Sequence, residues 1–147
     1  MSMFKHILIP TDGSELSKIA IQNGVQFAKE SHAKITGITV TTPFHYSGRD
    51  AMQINDSLAL YGAEAKVIAD RNLAVLKEEA NKAGVDCELV HCSSEHPYEE
   101  IVKTAEARHC DVIFQASHGR RGVSALIWGS ETQKVLTHSK IPVLVFR

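Results

Sequence analysis

Short strand-like runs alternate with stretches of helical periodicity along this chain, and that alternation restricts its fold more than any other feature. The first run, Phe4 to Pro10, holds Ile7-Leu8-Ile9, a continuous apolar triplet of the kind found in strands covered on both faces. Pro10 ends it, because proline has no N–H to give to a ladder. Thr11-Asp12-Gly13-Ser14 then combines turn residues with a helix N-cap. From Glu15 to Ser31, Leu16, Ala20, Ile21, Gly24, Val25, Phe27 and Ala28 recur at helical spacing and form one apolar face. Lys34 to Thr41 is rich in β-branched residues and predicts a second strand. Leu60 to Ala83 predicts a long helix, with Ala65, Ala69, Leu73, Leu76, Ala80 and Ala83 on one side and Gly84 stopping it. Asp86 to Cys92 predicts a third strand. Pro97 suits the first turn of the next helix, which runs to about Arg108 with Tyr98, Ile101, Val102 and Ala105 inward. Asp111 to Ala116 and Ile141 to Phe146 supply the fourth and fifth strands, with a helix over Glu131 to His138 between them.

One segment breaks the pattern. Thr42 to Leu58 has Pro43, Gly48, Asn55 and Asp56 scattered through it and reads as a long loop: a lid, an interface segment or a mobile tail of one. Its Phe44, Tyr46, Met52 and Ile54 are expected to pack on something.

Strand–helix alternation repeated four times predicts an α/β fold. The sheet should be doubly wound, five-stranded and parallel, with right-handed crossovers and helices on both faces, Rossmann-like. Ligands in such sheets bind beyond the carboxyl ends of the strands, where the strand order reverses. An order of 3-2-1-4-5 puts that point between strands one and four. Asp12, after strand one, and the loop from Ala116, after strand four, then lie side by side. No linker or low-complexity stretch interrupts the chain, and 1–147 is expected to be a single domain.

The loop after strand four has chemistry of its own. Ala116-Ser117-His118-Gly119 is followed after nine residues by Gly129-Ser130, at the start of a predicted helix. Glycine lets backbone approach a ligand with no Cβ in the way, and the free N–H groups of a helix's first turn point at an anion. Arg120 and Arg121 add positive charge, and Ser130 offers a hydroxyl. The same residues would serve an ordinary strand-to-helix connection with a Ser N-cap, so the stretch alone leaves both readings open.

Composition removes several classes of function. A formal net charge of −1 gives no electrostatic case for nucleic acid or an anionic membrane. Cys87, Cys92 and Cys110 form no C-x-x-C pair, which argues for buried free thiols in a reducing compartment. No apolar run approaches the ~20 residues of a spanning helix, and the first residues lack a signal-peptide pattern, so a cytoplasmic location is expected.

The run from Ile7 to Ser14, Ile-Leu-Ile-Pro-Thr-Asp-Gly-Ser, resembles the opening of the universal stress protein family. So does the distal run Ser117-His118-Gly119 through Gly129-Ser130, ending in Pro142-Val143-Leu144-Val145. The similarity extends element by element over the whole chain. Nucleotide-binding members of that family carry G-x-x-G, nine residues, then G-S or G-T. Gly119, Gly129 and Ser130 match by position, and Ala116 stands where the first glycine would. Its extra methyl is tolerable at negative φ and destabilising at positive φ. The resemblance implies an adenine nucleotide, ATP or AMP, with Mg²⁺ reaching the site through the phosphates. It implies that Asp12, with Pro10 and Thr11 beside it, contacts the nucleotide near its adenine–ribose end, and that Val40 gives backbone hydrogen bonds to adenine. His118 would shape the loop or meet phosphate or ribose, with Arg120 near it. Family members commonly dimerise through the C-terminal strand, so a homodimer through Ile141 to Phe146 is expected; an apolar edge strand invites such pairing in any case. Members without the glycine pattern work without ATP, which makes a nucleotide-independent dimeric interaction protein the alternative.

Catalysis has less support. Ser117 and His118 are sequence neighbours that cannot easily face each other, and no third group is evident to orient them. The chain has no Walker pattern, so any ATP hydrolysis should be slow. His6, His32, His45, His91, His96, His109 and His138 have no metal-ligand spacing. Glu95, Glu99 and Glu100 read as a solvated helix start favoured by the dipole, and Trp128 as packing for the loop.

Overall fold

The computed structural model describes residues 3–43, 54–117 and 130–147, with backbone alone for 54–59 and 130. Along the chain run β1 (His6–Pro10), α1 (Glu15–Ser31), β2 (Lys34–Thr41), α2 (Ile54–Ala83), β3 (Cys87–Ser93), α3 (Pro97–Ala107), β4 (Val112–Ala116), α4 (Ser130–His138) and β5 (Val143–Phe146). The strands form one five-stranded sheet in the order β3-β2-β1-β4-β5, each neighbour parallel to the next. This is the order expected from the alternation, with the reversal between β1 and β4.

Side-chain alternation along each strand divides the interior in two. Ile7, Ile9, Ile35, Val112 and Phe114 face one way and meet Ala20, Ile21, Val25 and Ala28 of α1 and Leu76 and Ala80 of α2. Leu8, Ile38 and Ile113 face the other and meet Ile101 and Ala105 of α3 and Val135 of α4. The central strands are therefore apolar on both faces, as the continuous Ile7-Leu8-Ile9 run requires. Two helix ends follow local chemistry closely. Ser14 caps α1, its Oγ accepting from the Ser17 N–H at 3.1 Å, and Gly84 closes α2 at φ +71°.

Three boundaries differ from expectation by two residues or more. Thr42 to Leu58 is not loop throughout, since α2 begins at Ile54; Asn55 and Asp56, read as turn residues, are equally at home in a helix's opening turn. The remainder of that segment, 44–53, with Phe44, Tyr46 and Met52, lies outside the described residues. β5 begins at Val143, two residues late, and β1 at His6, two residues after Phe4. Pro142 still lends its carbonyl to Ile113 N–H at 2.9 Å, but it has no N–H of its own to continue a ladder. The three cysteines are free, Cys87 and Cys110 buried and Cys92 half-buried. Burial pushes their thiols up, that of Cys110 to about 11. Among the described residues no helix is long and apolar enough to cross a membrane.

Candidate functional site

Pairing between β1 and β4 is recorded only at Ile7↔Val112 and Leu8↔Ile113, whereas β1 and β2 stay in register from His6↔Lys34 to Pro10↔Ile38. Past Leu8 the register is not continued, and the switch point lies between the ends of these two strands. Pro10 suits this place. His6 accepts from the Asp111 N–H and Lys5 from the Lys34 N–H, so alternate residues of β1 serve alternate neighbours. Pro10, like His6, is turned toward β4, and having no N–H it cannot donate the next bond of that ladder.

The turn after β1 is built from within. Thr11 is buried, and its N–H donates to the Ile38 carbonyl at 2.9 Å. Thr11 Oγ1 accepts from Ser17 Oγ at 2.7 Å and from the Gly13 N–H at 3.4 Å. The Thr11 carbonyl accepts from Thr39 Oγ1 at 2.7 Å. Thr11 therefore acts as a scaffold that joins β1, β2 and α1. Asp12 is half-buried, and its Oδ1 accepts from the Ser14 N–H at 3.0 Å, which closes the turn. Gly13 sits at φ +80°, and a Cβ there would collide with the Asn72 amide of α2, whose Cγ would be only 2.9 Å away. Glycine is required on both counts. Val40 is half-buried near the end of β2. Its backbone groups lie on the same side as those of Ile38, toward the end of β1.

Across the crevice, Ala116 is the last residue of β4 and is not among the positive-φ residues. Its methyl belongs to the core layer shared with Ile9 and Phe114. The alanine that departs from the glycine pattern is thus accommodated without backbone strain. Ser117 is 2% exposed, and its N–H donates to the Phe146 carbonyl at 2.8 Å, prolonging the β4–β5 ladder. Thr132, in the first turn of α4, donates from Oγ1 to the Ala116 carbonyl at 3.0 Å and accepts from Gln115 Nε2 at 3.5 Å. The start of α4 is thereby clamped to the end of β4. Gln115 Oε1 is sealed from solvent and has no hydrogen-bond partner among the described residues.

Of the residues singled out in the sequence, Pro10, Thr11, Asp12, Val40 and Ala116 come together at the adjacent ends of β2, β1 and β4, with the Ser130 backbone nearby at the start of α4. His118, Gly119, Arg120 and Gly129, and the Ser130 side chain, lie outside the described residues. Ser17, Thr39, Asn72 and Thr132 escaped sequence reasoning although all four are buried and support the crevice. Ser17 left a signal: it precedes Ile21, Gly24 and Ala28 at intervals of four, three and four, on the face that reads as apolar.

Residues 3–147 match the universal stress protein family. YxiE of Bacillus subtilis, a universal stress protein, is 31% identical over 156 residues, which cover 99% of this chain and 100% of that one. Universal stress protein MJ0531 of Methanocaldococcus jannaschii is 30% identical over 146 residues, covering 99% and 84%. The solved structure of hypothetical protein MJ0577 superposes with a TM-score of 0.82 at 28% identity, covering 97% of this chain and 95% of its own. A universal stress protein in complex with cAMP superposes at 0.69 with 23% identity, covering 99% of each chain. One from Archaeoglobus fulgidus in complex with dAMP superposes at 0.66 with 14% identity, also covering 99% of each.

Proposed function

The chain belongs to the universal stress protein family, and from that premise we propose that it binds an adenine nucleotide at the switch-point crevice. The proposal takes 1–147 as one domain working in the cytoplasm as a dimeric, nucleotide-dependent switch. The observation that carries it is the convergence of Asp12, Val40 and Ala116 with the clamped start of α4 at the point where the strand order reverses. Proteins of this fold that hold cAMP or dAMP lend support, since both ligands share with ATP and AMP an adenine base on a phosphorylated pentose.

The parts divide the ligand between them. The Val40 backbone is directed where an adenine edge would lie, with Asp12 and the Pro10–Thr11 turn at the ribose. The first turn of α4 at Ser130, with Gly119 and Gly129 and the Arg120 charge, would take the phosphates, and His118 would shape the loop or meet phosphate or ribose. Free N–H groups at a helix start and glycines without side chains suit an anion. ATP would bring Mg²⁺ with its phosphates, whereas AMP needs none.

Calorimetry and thermal melts with ATP plus Mg²⁺ and with AMP test this. A ligand at about a hundredfold over its Kd adds about 2.7 kcal/mol, or roughly 5–10 °C in Tm for a chain of this size. Gly129→Val should abolish that shift by placing a branched side chain where phosphate must approach. Ala116→Gly should leave affinity within about twofold, because the Ala116 methyl belongs to the core layer. No heat and no shift at millimolar nucleotide would favour the nucleotide-independent interaction protein.

A further inference from the structure

α3 begins without a cap of its own. His96 stands at its N-cap position and makes no side-chain capping bond, while Pro97 occupies the first turn. The acceptor comes from another helix: Glu131 Oε2 of α4 accepts from the Tyr98 N–H at 3.0 Å. The other carboxylate oxygen lies 3.5 Å from Lys134 Nζ. Lys134 Nζ is in turn 5.5 Å from the centre of the Tyr98 ring, and the His138 ring packs on the same tyrosine with centroids 4.9 Å apart. Glu131, Lys134 and His138 follow one another at three and four residues, so one stripe of α4 grips one residue of α3. Glu131 is the residue next to Ser130, and Thr132 is the residue clamped to β4.

We propose that Glu131 is a positioning residue for the nucleotide site, holding the first turn of α4 in register by capping α3 from outside. This rests on the nucleotide reading above. Thr132 fixes the height of that turn against β4 through the Ala116 carbonyl, and Glu131 fixes its rotation against α3 through the Tyr98 N–H. With both ties in place, the N–H groups after Gly129 keep one direction before any ligand arrives, and binding need not spend free energy on ordering them. The carboxylate itself faces the positive end of α3, where a negative charge is favoured.

Two substitutions in the full-length chain separate position from charge. Glu131→Ala removes the acceptor and should weaken AMP binding on the order of fivefold, the equivalent of one lost cap. Glu131→Gln keeps an acceptor for the Tyr98 N–H and should restore affinity to within about twofold of the parent. The melting temperature of each nucleotide-free variant is measured beside its Kd. A Glu131→Ala protein that melts lower but binds AMP as the parent does would overturn the positioning role, leaving a cap for α3 and nothing more. Equal weakening in both variants would also overturn it, since the hydrogen bond would then not be the cause. A parent protein that binds no AMP rejects the nucleotide reading itself, and the positioning role with it.

Discussion

His6 enters the sheet at the end opposite the crevice, 7% exposed, with Nε2 2.7 Å from Thr36 Oγ1. Burial holds its imidazole below the ordinary value, helped by the Lys34 ammonium and opposed by a hydrogen bond to the Arg108 backbone and by the Asp111 and Glu88 carboxylates. A lowered value means the folded chain binds this proton less tightly than the unfolded chain. The neutral ring therefore contributes its full stability above the ordinary value of 6.5, and the contribution drains away as pH falls below it. Urea midpoints measured from pH 7.5 down to 5.5 should decline, by at most about 1.4 kcal/mol per pH unit for one proton. His6→Gln should flatten that decline. An unchanged slope in the variant would assign the acid sensitivity to other groups.

Among the elements, α2 lies so close to β2 that Gly37 is fixed by packing. A Cβ at Gly37 would collide with Leu76 Cδ2 and stand 3.2 Å from Leu89 Cδ2. Leu76 is fully buried, so it has little room to yield. Gly37→Ala should cost about 1–3 kcal/mol by overpacking, and Leu76→Ala about 2–5 kcal/mol by leaving a cavity. The double variant should cost less than the two together, because each change makes room for the other. Strict additivity by chemical denaturation would mean that the helix shifts as a body.

This glycine also marks where the sequence stops being legible. Periodicity is a property of neighbours in the chain, and it located every strand and helix and the inward side of α1, α2 and α3. The expected order 3-2-1-4-5 is also the observed one, and it is what makes the ends of β1 and β4, and so Asp12 and Ala116, neighbours. Contacts such as Leu76 over Gly37, Asn72 over Gly13 or Glu131 on the Tyr98 N–H join residues 39, 59 and 33 positions apart. Nothing local to either partner encodes them. The start of α2 was misjudged for a related reason: Asn55 and Asp56 suit both a turn and an opening helical turn, and only the helix that follows decides between them.

At the scale of the whole molecule, the two edges of the sheet are unlike, and the difference decides how copies would meet. On β3, the Asp86 carbonyl is taken by the Ile35 N–H of β2, so Cys87 turns its backbone outward. The outward Cys87 carbonyl is already engaged by Lys77 Nζ at 2.5 Å, and an exposed ion pair joins Glu88 to Arg108 on this strand. Lysine and charge at an edge discourage further pairing. On β5, Pro142 and Phe146 give their carbonyls to Ile113 and Ser117, which turns the backbones of Val143 and Val145 away from β4. These residues are half-buried and apolar. We propose that the homodimer forms here, two copies pairing β5 across a two-fold axis so that each satisfies the other's outward groups. Val145→Pro removes one outward N–H and spares the ladder to β4, so it should convert the dimer to a folded monomer in sedimentation at micromolar concentration. Leu144→Pro, whose N–H is directed at β4, should instead lower the melting temperature of the subunit itself. A parent protein that sediments as a monomer rejects the interface. A dimer that survives Val145→Pro places it elsewhere on the surface.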